Sequence, residues 1–212
     1  MSRAVGIDLG TTNSVLAYIT GKNTPEVADN VDSEQWTPSL VFYDDNGEFI
    51  VGKSVRDMGQ KDPERMVYSI KRFMGRDYDD PVLKNQIEGQ RFPYIIEKDD
   101  KGEILVKLAG RYFSPPEISA IILEAIKSYG ETYIEDDISH AVITVPAYFG
   151  TRQKEVTRQA GRLAGFSVLR VLPEPTAAAL AYGLDADPEE PKTVLVYDLG
   201  GGTLDVTVMF IG

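Results

Sequence analysis

Gly6-Ile7-Asp8-Leu9-Gly10-Thr11-Thr12-Asn13-Ser14, followed by the apolar run Val15 to Ile19, reads as a strand, a tight turn and a second strand. Gly10 allows backbone dihedrals closed to other residues, and successive N–H groups in such a turn can face an anion. Asp8 stands where the first strand is expected to end. A polyphosphate held by the turn brings a divalent cation, and Mg²⁺ takes one or two carboxylates plus waters. By itself the stretch also reads as an ordinary hairpin turn, because Gly and Asn dominate those too.

The same grammar returns in Val194-Leu195-Val196-Tyr197-Asp198-Leu199-Gly200-Gly201-Gly202-Thr203-Leu204-Asp205, again followed by an apolar run, Val206 to Ile211. Asp8 and Asp198 then occupy equivalent places in two copies of one hairpin. Copies separated by so much chain predict two similar lobes facing a shared cleft, each offering one phosphate loop and one carboxylate. The second copy runs to Gly212, so the lobe that should support it is expected to lie beyond this sequence.

Composition narrows the class. A chain of 212 residues, 42% hydrophobic and 26% charged, can bury one large core or two small ones. The net charge of −11 and the lack of a Lys/Arg stripe argue against nucleic acid as a partner. Without cysteine there is no disulfide framework, thiolate nucleophile or Cys-based zinc site. The first strand follows directly on Met1-Ser2-Arg3, with no signal-peptide pattern, and no apolar run is long enough to span a bilayer. A cytoplasmic protein with no membrane partner is expected.

Between the two hairpins the chain alternates strands and helices. Leu40 to Tyr43 and Glu48 to Val51 flank the hairpin signal Asn46-Gly47. Gly47 to Ser54 fits the P-loop pattern letter for letter, but a P-loop needs a curl between strand and helix, and Glu48 to Val51 reads as a strand. Asp62-Pro63-Glu64 is a helix start signal for a segment running toward Arg76. Lys71, set among apolar neighbours there, is either a surface lysine snorkelling over the core or a cation reaching into the cleft. Residues 78–110 read as a satellite subdomain with strands at Tyr94 to Glu97 and Ile104 to Leu108.

Ser114-Pro115-Pro116-Glu117 is a capping box with Pro at the first helical position. Ile118, Ile121, Ile122, Ala125, Ile126 and Tyr129 then form one apolar face. A buried strand, Ala141 to Val145, stops at Pro146, and the lone His140 before it reads as a strand-end residue. Thr151 caps the next expected helix, with Val156, Ala160, Leu163 and Ala164 on its apolar face, ahead of a strand at Val168 to Leu172. Pro173-Glu174-Pro175-Thr176 leads into a helix at Ala177 to Tyr182. Two prolines restrict the backbone around Glu174, which is either a positioned general base or an acid favoured by a helix N-terminus. Asp185 to Lys192, rich in acids and proline, reads as a linker.

Two phosphate loops, two strand-end carboxylates, a lysine and a clamped glutamate together suggest phosphoryl transfer, where catalysis is mostly positioning and charge stabilisation. Over nearly its whole length the chain resembles the nucleotide-binding domain of the 70 kDa heat-shock chaperone (DnaK) family. The likeness is carried by Ile7 to Ser14, Tyr68 to Arg76, Ala141 to Phe149, Glu174 to Asp185 and Val196 to Asp205. It implies an α/β, actin-like ATPase (ribonuclease H-like) fold with ATP or ADP and Mg²⁺ between two lobes. On that basis residues 1–188 are the first lobe, with an inserted α+β subdomain at about 39–113, and 189–212 are the opening hairpin of the second.

The resemblance further implies that Gly10, Thr11, Thr12 and Asn13, with Gly200, Gly201, Gly202 and Thr203, line the phosphate site. Asp8 and Asp198 surround the metal, mostly through its waters, and Lys71 and Glu174 position and activate the attacking water, with Asp198 and Thr203 also in the catalytic set. Unfolded polypeptide clients, a J-domain co-chaperone and a nucleotide-exchange factor are the implied partners of the full-length protein. This sequence alone is expected to bind ATP weakly and turn it over little.

The family commonly has Phe where Leu204 stands and Asn where Pro173 stands. A proline matching Pro146 works in the family with a downstream arginine to relay nucleotide state between domains. Here Lys154 holds the aligned position, with Arg152 close by, and Lys lacks the planar fork of Arg. Two other readings share these features: a filament-forming actin relative, and a metal-dependent nuclease using Asp8, Asp198 and Glu174.

Overall fold

A computed structural model describes residues 3–90, 92–183 and 191–211. In chain order it begins with β1 (Arg3–Asp8), β2 (Asn13–Ile19), β3 (Pro25–Val27), β4 (Thr37–Pro38), β5 (Val41–Tyr43), β6 (Phe49–Val51), α1 (Val55–Lys61) and β7 (Met66–Val67). Next come α2 (Pro81–Gln90), β8 (Ile95–Lys98), β9 (Ile104–Leu108), β10 (Arg111–Phe113) and α3 (Pro115–Ile134). The remainder is β11 (Ile138–Val145), α4 (Thr151–Leu163), β12 (Ser167–Pro173), α5 (Glu174–Ala181), β13 (Lys192–Leu199) and β14 (Leu204–Ile211). Residues 185–190 of the expected linker lie outside the described residues.

The main sheet has the order β12-β11-β1-β2-β3, with β4 also paired to β2. β1, β11 and β12 run parallel, while β2 is antiparallel to both β1 and β3. Parallel neighbours need a long crossover, and α4 supplies it between β11 and β12. Alternation along β1 buries Val5 and Ile7, while β11 buries Ile138, Ala141, Ile143 and Val145. The register sets Asp8, at the end of β1, beside Thr144.

α3 starts as its sequence dictates: Glu117 accepts hydrogen bonds from the Ser114 N–H and hydroxyl at 2.7 and 2.6 Å. Ile118, Ile122, Ile126 and Tyr129 are buried, and so are Ser119, Ala120 and Leu123, so α3 is covered on more than the expected stripe.

α4 departs from expectation in two respects. Gly150, not Thr151, is the residue before the first turn, and its N–H donates to Gln153 Oε1 at 3.1 Å. The buried face is Thr157, Ala160, Gly161 and Ala164, while Leu163 is exposed. Contact with the sheet is too close for larger side chains. A Cβ on Gly161 would stand 2.5 Å from Val168 Cγ2.

Residues 41–113 carry two small sheets, β6-β5-β7 and β10-β9-β8. At the Asn46-Gly47 turn, Asp44 Oδ1 accepts the N–H groups of Asn46 and Glu48, and Gly47 takes φ +81°. The segment opened by Asp62-Pro63-Glu64 is not one helix. It forms a 3₁₀ turn at Pro63–Arg65, pairs β7 to the edge of β5, and forms a second 3₁₀ turn at Ile70–Phe73. Ser69, at φ 57°, breaks helical continuity between them. The P-loop-like stretch runs through β6, and Lys53 pairs with Glu34 at 2.6 Å on the exterior.

Apolar residues from the main sheet, α3, α4 and both small sheets join one buried cluster. His140 lies within β11 and not ahead of it, with Nδ1 2.6 Å from the Ser139 hydroxyl. Among the described residues β13 and β14 pair only with each other. None of the described helices is long and apolar enough to cross a membrane.

Candidate functional site

The turn between β1 and β2 is held from below by two buried serines. Gly10 N–H donates to Ser14 Oγ at 3.2 Å, Ser14 Oγ lies 2.9 Å from Ser39 Oγ, and Ser39 Oγ donates to the Gly10 carbonyl at 2.9 Å. Ser39 N–H donates to the Thr12 carbonyl at 2.8 Å. Gly10 is required for space and not for a left-handed φ: it is absent from the positive-φ residues, and a Cβ there would lie 1.9 Å from the Asn13 carbonyl oxygen. Thr144 Oγ1 donates to Asp8 Oδ1 at 3.2 Å and orients that carboxylate.

The second turn repeats the first in miniature. Asp198 pairs with Asp205 across β13 and β14, and Gly200 N–H donates to the Thr203 carbonyl at 2.9 Å. Gly201 packs so close to the first turn that a Cβ would stand 2.9 Å from the Thr12 side chain. Arg72 Nη2 donates to the Gly202 carbonyl at 2.9 Å and ties this turn to the 3₁₀ turn that carries Lys71.

Lys71 is buried, and Nζ donates to Glu174 Oε1 at 2.7 Å. The lysine therefore does not snorkel to the surface. Glu174 is the first residue of α5, after Pro173 at φ −61°, ψ 135° and before Pro175 in the first turn. Its carboxyl is pushed above the usual range, first by burial, and further by Asp8 and Asp198, while the Lys71 ammonium pulls it back down.

Every site residue expected from the sequence, from Asp8 and Gly10 through Lys71 and Glu174 to Asp198 and Thr203, lines one cavity of about 350 Å³ between the two turns. That lies within the roughly 300–1,000 Å³ of small-molecule sites. Pro146 and the half-exposed Trp36 also line it. A second cavity of about 460 Å³, beside α3 and β6, lacks facing turns and a buried ion pair, so its greater size does not make it the chemical centre.

Ser39, Arg72 and Thr144 also support the site. No local pattern marks them, because each acts on a residue far away in the chain. Pro146 reaches the cavity, whereas Arg152 is engaged with Asp77 at 2.7 Å and Glu103 at 3.5 Å.

The residues suit a polyphosphate with a hard divalent cation. Backbone N–H groups, threonine hydroxyls and Lys71 supply donors for an anion. Asp8 and Asp198 line the same cavity and offer carboxylate oxygens to such a cation. No group of three or more His, Cys, Asp or Glu among the described residues converges to hold a metal, so the carboxylates available to a cation in this cavity are Asp8 and Asp198 beside the ion-paired Glu174. Glu174 is paired with Lys71 and not grouped with the aspartates as a metal ligand, unlike the arrangement a two-metal nuclease needs.

Residues 4–212 match the model of the Hsp70 protein family. The chain belongs to the Hsp70 family. Its fold is that of the actin-like ATPases, with which the mixed sheet is consistent, and the family match supports a chaperone ATPase domain. Hsp70 ATPase domains bind nucleotide, generally with Mg²⁺, which accords with the paired turns and carboxylates of this cavity.

Proposed function

We propose that this chain binds ATP with Mg²⁺ weakly between its two hairpin turns, and that the same residues hydrolyse the terminal phosphoryl bond in the full-length protein, with only slow turnover by this chain alone. The buried Lys71–Glu174 pair, 2.7 Å apart in a cavity walled by both turns, carries the reading. The N–H groups of Thr11 to Asn13 and Gly201 to Thr203, with the hydroxyls of Thr11, Thr12 and Thr203, donate to the phosphate oxygens, while Gly10 and Gly200 spend their own N–H groups on closing the turns. Asp8 and Asp198 would hold the Mg²⁺, which would neutralise phosphate charge.

Lys71 fixes the Glu174 carboxylate by a 2.7 Å hydrogen bond and opposes the upward push that burial gives its pKa. Glu174 accepts a proton from the attacking water as the water oxygen bonds to the γ-phosphorus and the bond to the bridging oxygen breaks. In this reading residues 1–188 form the first lobe, with an insertion at about 39–113, and residues 189–212 open the second. The ATPase serves a cytoplasmic chaperone that couples nucleotide state to unfolded polypeptide, assisted by a J-domain co-chaperone and a nucleotide-exchange factor.

³¹P NMR of ATP titrated with the chain tests this. The β and γ resonances should be perturbed in a Mg²⁺-dependent manner. Glu174→Gln should preserve that perturbation and slow single-turnover hydrolysis by roughly 10²–10⁴-fold. Absence of any Mg²⁺-dependent perturbation would overturn the proposal.

A further inference from the structure

Two buried side-chain polar atoms among the described residues have no hydrogen-bond partner, Arg72 Nε and Gln153 Nε2. Both are donors, and both residues line the same small chamber, of about 50 Å³. Gln153 cannot turn its amide over to relieve the problem, because its Oε1 already accepts the Gly150 N–H at 3.1 Å. Arg72 is equally constrained by its bond to the Gly202 carbonyl. Buried donors without partners are rare enough to need a specific explanation.

The rest of the lining points to a negative ligand. Lys71 and Arg76 add two cations to Arg72, and no carboxylate lines the chamber. Arg76 is held in place by Asp80 at 2.8 Å, and Lys71 by Glu174. Thr11, Lys71 and Thr203 line both this chamber and the 350 Å³ cavity, so they form the wall between them. The chamber is too small for a nucleotide, yet it opens beside the place where hydrolysis would free a small tetrahedral oxyanion.

We infer that the Arg72–Arg76–Gln153 chamber is a second anion site that accepts inorganic phosphate after it leaves the Lys71 end of the ATP cleft. The inference rests on the proposed ATPase reading. Arg72 then serves two purposes: Nη2 holds the glycine turn of β13–β14, and Nε donates to the departing phosphate. Gln153 supplies a neutral donor from the start of α4.

The test is a titration of inorganic phosphate into the full chain, followed by ³¹P line broadening, with and without Mg²⁺ and the β,γ-imido analogue of ATP. Phosphate should still bind when the analogue fills the main cavity, sulfate should compete, and Gln153→Glu should weaken phosphate at least tenfold. That variant keeps an acceptor for Gly150 and replaces the unpaired donor with an acceptor, so the start of α4 is preserved. Arg76→Met is a second variant, expected to act in the same direction, and thermal melting verifies folding of both.

Phosphate bound only in the absence of the analogue, or bound equally by Gln153→Glu and the unaltered chain, would overturn the inference, as would a chamber that holds water only. Failure of the analogue itself to bind would count against the ATPase reading. Gln153-dependent phosphate binding would then still support the chamber.

Discussion

β1–β2 lies inside the main sheet, with Ile7 and Leu16 shut away from solvent and its turn held by Ser14 and Ser39. Among the described residues β13–β14 pairs only with itself, and it exposes the apolar face formed by Leu195, Tyr197, Leu199, Leu204, Val206, Val208 and Phe210. Yet the two turns present the same groups to one cavity. Turn geometry is thus a local property, set by small residues after an aspartate, whereas the stiffness behind the turn comes from its neighbours. An isolated two-stranded hairpin is marginal in water. The second turn is positioned largely from outside, by Thr12, Arg72 and α5.

The sharpest way to break this comparison is through matched truncations. Leu16→Ala should destabilise the chain by roughly 2–5 kcal/mol in urea unfolding, because the side chain is fully buried. Val208→Ala on the exposed face should stay within about 0.5 kcal/mol of the unaltered chain. Equal losses would mean that the second hairpin is as well supported as the first.

Ser39→Ala tests the support beneath the first turn. It removes the donor to the Gly10 carbonyl and the partner of Ser14 in a buried setting. The expected loss is about 1–3 kcal/mol, with weaker ATP binding read in the same ³¹P titration. Arg72→Met tests the tether of the second turn. Amide hydrogen exchange at Gly200 to Thr203 should accelerate, while amides of β1 keep their protection.

The smallest expected effect concerns Glu174, on which both hairpins act. Its carboxyl should titrate above the ordinary value of about 4.3, read by ¹³C NMR of the side chain. Asp8→Asn and Asp198→Asn should each lower it, because each removes a negative neighbour that opposes ionisation. Since the folded-state value is raised, the contribution of this group to stability is full below the ordinary value and is lost as pH rises through the raised one. Either aspartate variant should therefore flatten that loss. A variant that leaves Glu174 unmoved would show that its hairpin is electrically remote from the site.

Much of the site is legible in the sequence because its donors sit in contiguous runs. Gly10 to Asn13 and Gly200 to Thr203 are each one turn, and an aspartate two residues before the glycine belongs to the same strand. Glu174 is marked by its flanking prolines, and the fold adds what the sequence does not show, the Lys71 ammonium beside it. The segment before Lys71 misled, since Asp62-Pro63-Glu64 signals a helix and β5 claims Met66 and Val67 for its edge instead. In α4 the larger apolar residue Leu163 was read as core, but closeness to the sheet favoured Gly161.

The linear order of residues therefore settles the hairpins, the capped start of α3 and the repeated aspartate–glycine grammar, because these depend on neighbours within a few positions. Folding in three dimensions settles the burial of Lys71 against Glu174, the serine support under Gly10, the grip of Arg72 on Gly202 and the unpaired donors of Arg72 and Gln153. Each of those joins residues from separate parts of the chain, and the free energy of burying a polar group depends on what the rest of the fold brings to it. The opening stretch, Gly6 to Ser14, specifies its own turn. Its role as one wall of a cavity comes from Gly201 packed on Thr12 and from the 3₁₀ turn that carries Lys71.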